Sequence, residues 1–163
     1  MISENESSSF AGLTAAEIGE IEAEIKHYEQ KAAVSVEALK IVQKHRGWVS
    51  DDCLAAVAEL LEMSPAQLEG VATFYSLIYR RPVGKTVIHY CNSVSCWMLG
   101  AERIGEALCR HLQAELGEIS ADGEYTVLPI VCLGACDHAP VAMVGETLLL
   151  DIAEETIGRI LDR

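Results

Sequence analysis

Apolar positions in the first half of the chain recur at the three- and four-residue spacing of helices that bury one face. Ile18, Ile21, Ile25 and Tyr28 form the first stripe, and Val34, Ala38, Ile41 and Val42 the second. Leu54, Val57 and Leu61 form the third, and Leu68, Val71, Tyr75 and Ile78 the fourth. Polar residues mark where these helices begin or end. Thr14 and Glu17 compose a capping box, with Leu13 and Ile18 spaced as a hydrophobic staple. Gly47 is placed to end the second helix. Ser50 caps the third, with Asp51 and Asp52 in the first turn, where the helix dipole favours negative charge. Ser64, Pro65 and Gln67 open the fourth with an N-cap, an N1 proline and a second capping box. Arg80-Arg81-Pro82 stops it, and residues 82–85 read as a linker.

Beyond the linker the period changes. Thr86–Tyr90 is a short β-rich run, and residues 97–113 suit a helix with Ile104, Leu108 and Leu112 on one face. Asp122-Gly123 marks a turn before a strand at Tyr125–Val131. Val141–Val144 and Thr147–Leu150 flank Gly145-Glu146, which suits a two-residue type II′ hairpin. Asp151 and Glu154 open a closing helix over 152–162. The expected fold class is α+β. A four-helix domain at 13–82 follows a disordered leader at 1–12, and a domain at 83–163 carries a small mixed sheet covered by helices.

Charge and composition narrow the function. The chain has 163 residues, a net charge of −13 and 50% hydrophobic residues, enough for packed cores. Residues 1–80 carry 6 basic and 13 acidic groups, and residues 81–163 carry 6 and 12. No basic patch stands out to neutralise phosphates, so nucleic acid is not an expected partner. No apolar run approaches the length of a membrane span, and the acidic N-terminus lacks the pattern of a secretory signal. The expectation is a soluble cytosolic chain, and there six cysteines need a purpose other than structural disulfides.

Four cysteines are patterned. Cys91 and Cys96 are spaced C-x4-C, Cys132 and Cys136 are spaced C-x3-C, and 35 residues separate the pairs. Each pair follows a predicted strand. If those strands are neighbours in one sheet, both loops emerge at one edge and four thiols converge. Gly134 gives the second loop backbone freedom, and loop N–H groups are suited to stabilise charge on sulfur. Val94, Trp97, Leu133 and Ala135 are candidates to keep water away. A [2Fe–2S] cluster takes four thiolates and tolerates irregular spacing. Structural zinc prefers tighter C-x2-C pairs, and a thioredoxin-type dithiol needs C-x-x-C, which is absent. Spacing therefore favours the cluster over a zinc-stabilised interaction module, and leaves buried or redox cysteines as a third reading.

The pattern resembles the 24-kDa subunit family of NADH:quinone oxidoreductase, the E subunit of the bacterial respiratory complex (complex I). The resemblance rests on the cysteine spacing, Glu37-Ala38-Leu39, Gly47-Trp48-Val49, Gly70-Val71-Ala72-Thr73-Phe74-Tyr75-Ser76 and Cys132-Leu133-Gly134-Ala135-Cys136-Asp137, and covers about residues 14–160. It implies a thioredoxin-like α/β second domain, with Cys91, Cys96, Cys132 and Cys136 as the metal ligands of one [2Fe–2S] cluster. It also implies an electron-transfer subunit of an oxidoreductase, with no complete active site of its own. The implied partner is a flavoprotein subunit holding FMN and the NADH site, among other peripheral-arm subunits. The implied location is the cytoplasmic side of the bacterial inner membrane, without direct insertion. The chain has no G-x-G-x-x-G and no P-loop of its own. Related modules in NAD-linked hydrogenases and formate dehydrogenases share the motif and remain an alternative. A flavin divides a hydride's electron pair, so a one-electron cluster beside it can hold one electron while the other moves on.

The remaining candidates have plainer readings. Cys53 and Cys109 read as small buried hydrophobes. His138 reads as a polar loop residue, with a cluster-side hydrogen bond as its alternative. His27, His45 and His111 read as solvated, and His89 as covering a sheet face. Gly70 inside a helix costs about 1 kcal/mol relative to alanine, which a close helix or subunit approach would explain. Phe74 and Tyr75 are either core or docking surface, and Arg80-Arg81 is either a solvated stop or a contact to the flavoprotein.

Overall fold

A computed structural model describes residues 12–161. The leader reading concerns residues 1–12 and, apart from Gly12, lies outside the described residues. The chain divides into two compact units between Pro82 and Val83.

The first unit is helical: α1 (Ala15–Ile25), α2 (Ser35–Arg46), α3 (Asp51–Leu60) and α4 (Pro65–Phe74), with a 3₁₀ turn at Lys31–Val34 leading into α2. Both capping boxes form. The Glu17 N–H donates to Thr14 Oγ1 at 3.3 Å while Glu17 Oε2 accepts from the Thr14 N–H at 2.7 Å. Ser64 and Gln67 repeat the exchange at 2.9 and 3.3 Å. Ser50 accepts from the Cys53 N–H, and Gly47 ends α2 at φ +83°. Ile21, Leu39, Val42, Val57, Leu61 and Leu68 form the centre of one core.

The fourth helix is shorter than its apolar stripe predicts. It ends at Phe74, and Tyr75 turns to extended geometry. Tertiary hydrogen bonds compete with further helix here. The Gln43 amide donates to the Leu77 carbonyl at 2.8 Å and accepts from the Tyr79 N–H at 2.6 Å. Arg80 donates to the Val49 carbonyl, to Asp51 at 2.7 Å and to Glu69 at 2.9 Å. Arg80 is thus an internal clamp rather than a solvated stop. Phe74 is 80% exposed and Tyr75 is 45% exposed, so neither is core. Around Gly70 a Cβ would meet nothing within 4 Å, so no close helix approach within this unit explains that glycine.

The second unit is built on β1 (Thr86–Cys91), β2 (Tyr125–Ile130), β3 (Ala142–Val144) and β4 (Thr147–Leu149), in the order β2-β1-β3-β4. β1 and β2 are parallel, and the other pairings are antiparallel. The chain between β1 and β2 carries α5 (Val94–Met98) and α6 (Ala101–Leu112). The single helix expected over 97–113 is thus two, broken where Gly100 takes φ +94°. Ile104 and Leu108 of α6 pack with Ile88 and Val127 of the sheet. Pro129 lacks an N–H to donate and sits on β2, an edge strand, where that loss costs least. Gly145 has φ +56°, as the first position of a II′ hairpin requires. The closing helix is also shorter than expected. Ala153 is extended, a 3₁₀ turn occupies Glu154–Thr156, and α7 covers only Ile157–Leu161.

Candidate metal centre

β1 and β2 end together. Cys91 is the last residue of β1 and pairs with Ile130, the last of β2. Just beyond, the Asn92 N–H donates to the Ile130 carbonyl at 3.0 Å, and the Cys91 N–H donates to the Val141 carbonyl at 3.0 Å. These bonds hold the two outgoing loops at one edge of the sheet, a usual place for sites on parallel strands. Cys96 sits on α5, which Ser93 opens, and Cys136 begins a 3₁₀ turn at Cys136–His138. Cys132 and Gly134 lie in the loop between β2 and that turn.

The four thiols meet as two unlike pairs. Cys91 and Cys96 are each 1% exposed and pack with Ala101 and Val141, flanked by half-buried Leu133 and Ala135. Cys132 and Cys136 are exposed, with their Sγ atoms 3.3 Å apart. The Gly134 N–H, freed by φ +86°, donates to Cys132 Sγ at 3.4 Å.

The thiols also act on one another. Burial pushes the Cys96 thiol up, and a hydrogen bond with Cys91 and the charges of Cys91 and Cys136 add to the rise, while a backbone hydrogen bond at Val141 opposes it. The Gly134 N–H and then Cys136 hold Cys132 below the ordinary thiol range. Cys136 is pushed up, first by its hydrogen bond to Cys132, with Cys91 contributing and Ser95 opposing. All four groups therefore lie within one electrostatic neighbourhood. Among the described residues, no three His, Cys, Asp or Glu side chains are grouped to hold a single metal ion. A two-iron cluster takes four thiolates, and these two pairs would be the residues to hold one.

The other candidates have plainer surroundings. Cys53 is buried and Cys109 half-buried, in separate elements. Cys53 also accepts a hydrogen bond from Arg46 Nη1 at 2.9 Å, a partner its local sequence does not reveal. His138 Nδ1 lies 3.0 Å from Asp151 Oδ2, which fits the polar-loop reading. His45 pairs with Glu20 at 2.7 Å. His89 is 2% exposed on the central strand, and burial pushes its imidazole toward the neutral form. Val94 and Trp97, expected to exclude water, are 65% and 55% exposed. With Met98, Leu99 and Val131 they form exposed apolar surface on the cysteine loops, a feature the sequence reading missed. An uncharged run from Thr86 to Ala101 was its available signal.

A four-stranded mixed sheet with paired cysteine loops at one edge defines a class, the thioredoxin-like iron–sulfur proteins. The family model for thioredoxin-like [2Fe–2S] ferredoxins matches residues 21–163. The chain is 48% identical over 150 residues to the E subunit of NADH-quinone oxidoreductase from Buchnera aphidicola subsp. Acyrthosiphon pisum, covering 92% of this chain and 93% of that one. It is 47% identical over 151 residues to the Escherichia coli (strain K12) protein of the same name, covering 93% and 91%. The chain belongs to the thioredoxin-like [2Fe–2S] ferredoxin family and, within it, to the family of NADH-quinone oxidoreductase E subunits. Among solved structures, an NAD+-reducing [NiFe]-hydrogenase in the air-oxidized state matches at a TM-score of 0.65 and 21% identity, spanning 79% of this chain and 22% of that chain. That likeness bears on the fold alone. Family membership decides for a [2Fe–2S] cofactor over zinc.

Proposed function

We propose that this chain is an electron-transfer subunit of NADH:quinone oxidoreductase, with Cys91, Cys96, Cys132 and Cys136 as the four ligands of its [2Fe–2S] cluster. The observation that carries this reading is the meeting of two thiol pairs at one sheet edge. When bound, the cluster supplies one-electron storage beside a two-electron donor. The chain's own residues bind and screen it. Cys91 and Cys96 hold the buried side, and Cys132 and Cys136 hold the exposed side. The Gly134 N–H stabilises negative charge on sulfur, which raises a potential that four thiolates and an acidic chain otherwise keep low. Leu133 and Ala135 limit water on the inner side.

The partner in this reading is a flavoprotein subunit carrying FMN and the NADH site. Residues 13–82 form the helical domain and residues 83–163 the cluster domain. Among the described residues no helix is long and apolar enough to cross a membrane. The complex then holds the chain at the cytoplasmic face through other subunits. Identifying the large subunits that copurify with it separates this assembly from an NAD-linked hydrogenase or formate dehydrogenase.

The test is spectroscopic. Anaerobically purified protein is expected to be red-brown and, once reduced, to give a two-iron EPR signal. Cys91→Ser and Cys136→Ser should weaken or abolish both, while Cys53→Ala and Cys109→Ala leave them. A normal signal in the doubly substituted Cys91→Ser, Cys136→Ser protein overturns the ligand assignment.

A further inference from the structure

The two thiol pairs differ in one respect that cluster ligation does not use, which is access. Cys91 and Cys96 are each 1% exposed, whereas Cys132 and Cys136 are both exposed with their sulfurs 3.3 Å apart. Thiol–disulfide exchange needs an attacking reagent to reach the sulfur, so only the second pair is open to it. Its sulfurs need to approach by about 1 Å to reach the ~2.0 Å of a disulfide. Nothing packs against the loop between them at its glycine. Gly134, at φ +86°, has open space where a Cβ would sit.

We propose that Cys132 and Cys136 are also a site of reversible oxidation: in the chain without its cluster they close into an intramolecular disulfide, and the closed form takes no cluster until a thiol reopens it. The oxidant is a low-molecular-weight disulfide, RSSR. One exposed sulfur attacks it, forming a mixed disulfide and releasing one RSH. The second sulfur attacks the first, forming the Cys132–Cys136 bond and releasing the second RSH. Two protein thiols are oxidised by two electrons, one RSSR is reduced, and both protons leave on the RSH products. Cys91 and Cys96 remain thiols because they are sealed within the fold. The closure stands on access and distance alone. Its effect on loading rests on the ligand assignment proposed above.

The sequence makes the test clean. Trypsin places Cys91 and Cys96 in the peptide 86–103, and Cys132 and Cys136 in the peptide 111–159. The full-length chain, stripped of cluster anaerobically, is incubated with oxidised glutathione, alkylated and digested. The expected result is a 111–159 peptide lighter by two hydrogens and carrying no label, beside an 86–103 peptide carrying two labels. The oxidised chain is then offered a [2Fe–2S]-loaded scaffold protein with no free thiol or sulfide present. Cluster absorbance on the chain should appear at least about tenfold more slowly than on prereduced chain, because a disulfide sulfur must first be released. Dithiothreitol should restore the rate. Two labels on 111–159, a stable glutathione adduct there, or a disulfide on 86–103 overturns the closure. Equal loading of the two forms overturns its effect on the cluster. Reduced chain that takes no cluster overturns the ligand assignment instead and leaves the peptide map to judge the disulfide by itself.

Discussion

Glu17 caps the first helix and is sealed from water at 1% exposure. Both carboxylate oxygens accept from Arg46, at 2.6 Å each, and the Arg46 guanidinium holds the carboxyl down at about 2 against the opposing effect of burial. The unfolded chain binds this proton near the ordinary 4.5, so the pair stabilises the fold fully above that pH and loses its effect as pH falls toward 2. The shift corresponds to about 3 kcal/mol. Thermal melts of the wild type between pH 5 and pH 2.5 should show this loss, and Glu17→Gln should flatten that part of the slope. At pH 7, where Arg46 keeps some contact with water, Glu17→Gln should cost roughly 2–3 kcal/mol in urea titration. The capping role was legible from Thr14 and Glu17 alone. The ion pair was not, because Arg46 lies 29 positions away and no local pattern ties the two.

Two helical glycines separate what an element needs from what its surroundings allow. Alanine is favoured over glycine inside a helix by about 1 kcal/mol. Gly70 on α4 faces open space, so Gly70→Ala should raise stability by up to about 1 kcal/mol in urea titration. Gly105 on α6 faces the Tyr90 ring, with a Cβ landing 2.8 Å from it. Gly105→Ala should therefore cost about 1–3 kcal/mol despite the gain in propensity, because α6 must shift off the sheet. A stabilised Gly105→Ala protein would contradict this packing. The starts of α1, α3 and α4 were legible because capping uses residues three apart, whereas α2 follows Val34 with no side-chain cap. Helix ends were not legible. α4 stops at Phe74 because Gln43 and Arg80 hold residues 77–80 by tertiary hydrogen bonds. The 97–113 stripe breaks at Gly100, whose left-handed backbone turns α5 away from α6.

At the scale of the whole molecule, the helical unit and the sheet unit each have their own hydrophobic core. A ligand that binds only one folded unit stabilises that unit by mass action, and unfolding of such a chain is not expected to be a single two-state event. Removing the cluster should lower the protection of amides in the β1–β2 region in hydrogen exchange. Amides of α2 and α3 should keep theirs, and equal loss in both would argue for a single cooperative unit. The acidic balance of −13 spreads over both halves, and the apolar surface on Val94, Trp97, Met98 and Leu99 lies in a stretch without charge. Such a surface suits a docked protein partner better than free solution.

The sequence by itself determined the starts of α1, α3 and α4, the hairpin, the order of the strands and the cysteine spacing within each pair, because each follows from local patterns. That both cysteine pairs follow strands was also written there. Only the tertiary structure decided that those strands are adjacent, parallel and level at Cys91 and Ile130. Only it decided that one thiol pair is buried and the other exposed. Burial and convergence are properties of segments brought together from across the chain, and no local pattern encodes which face of a loop the fold will close over.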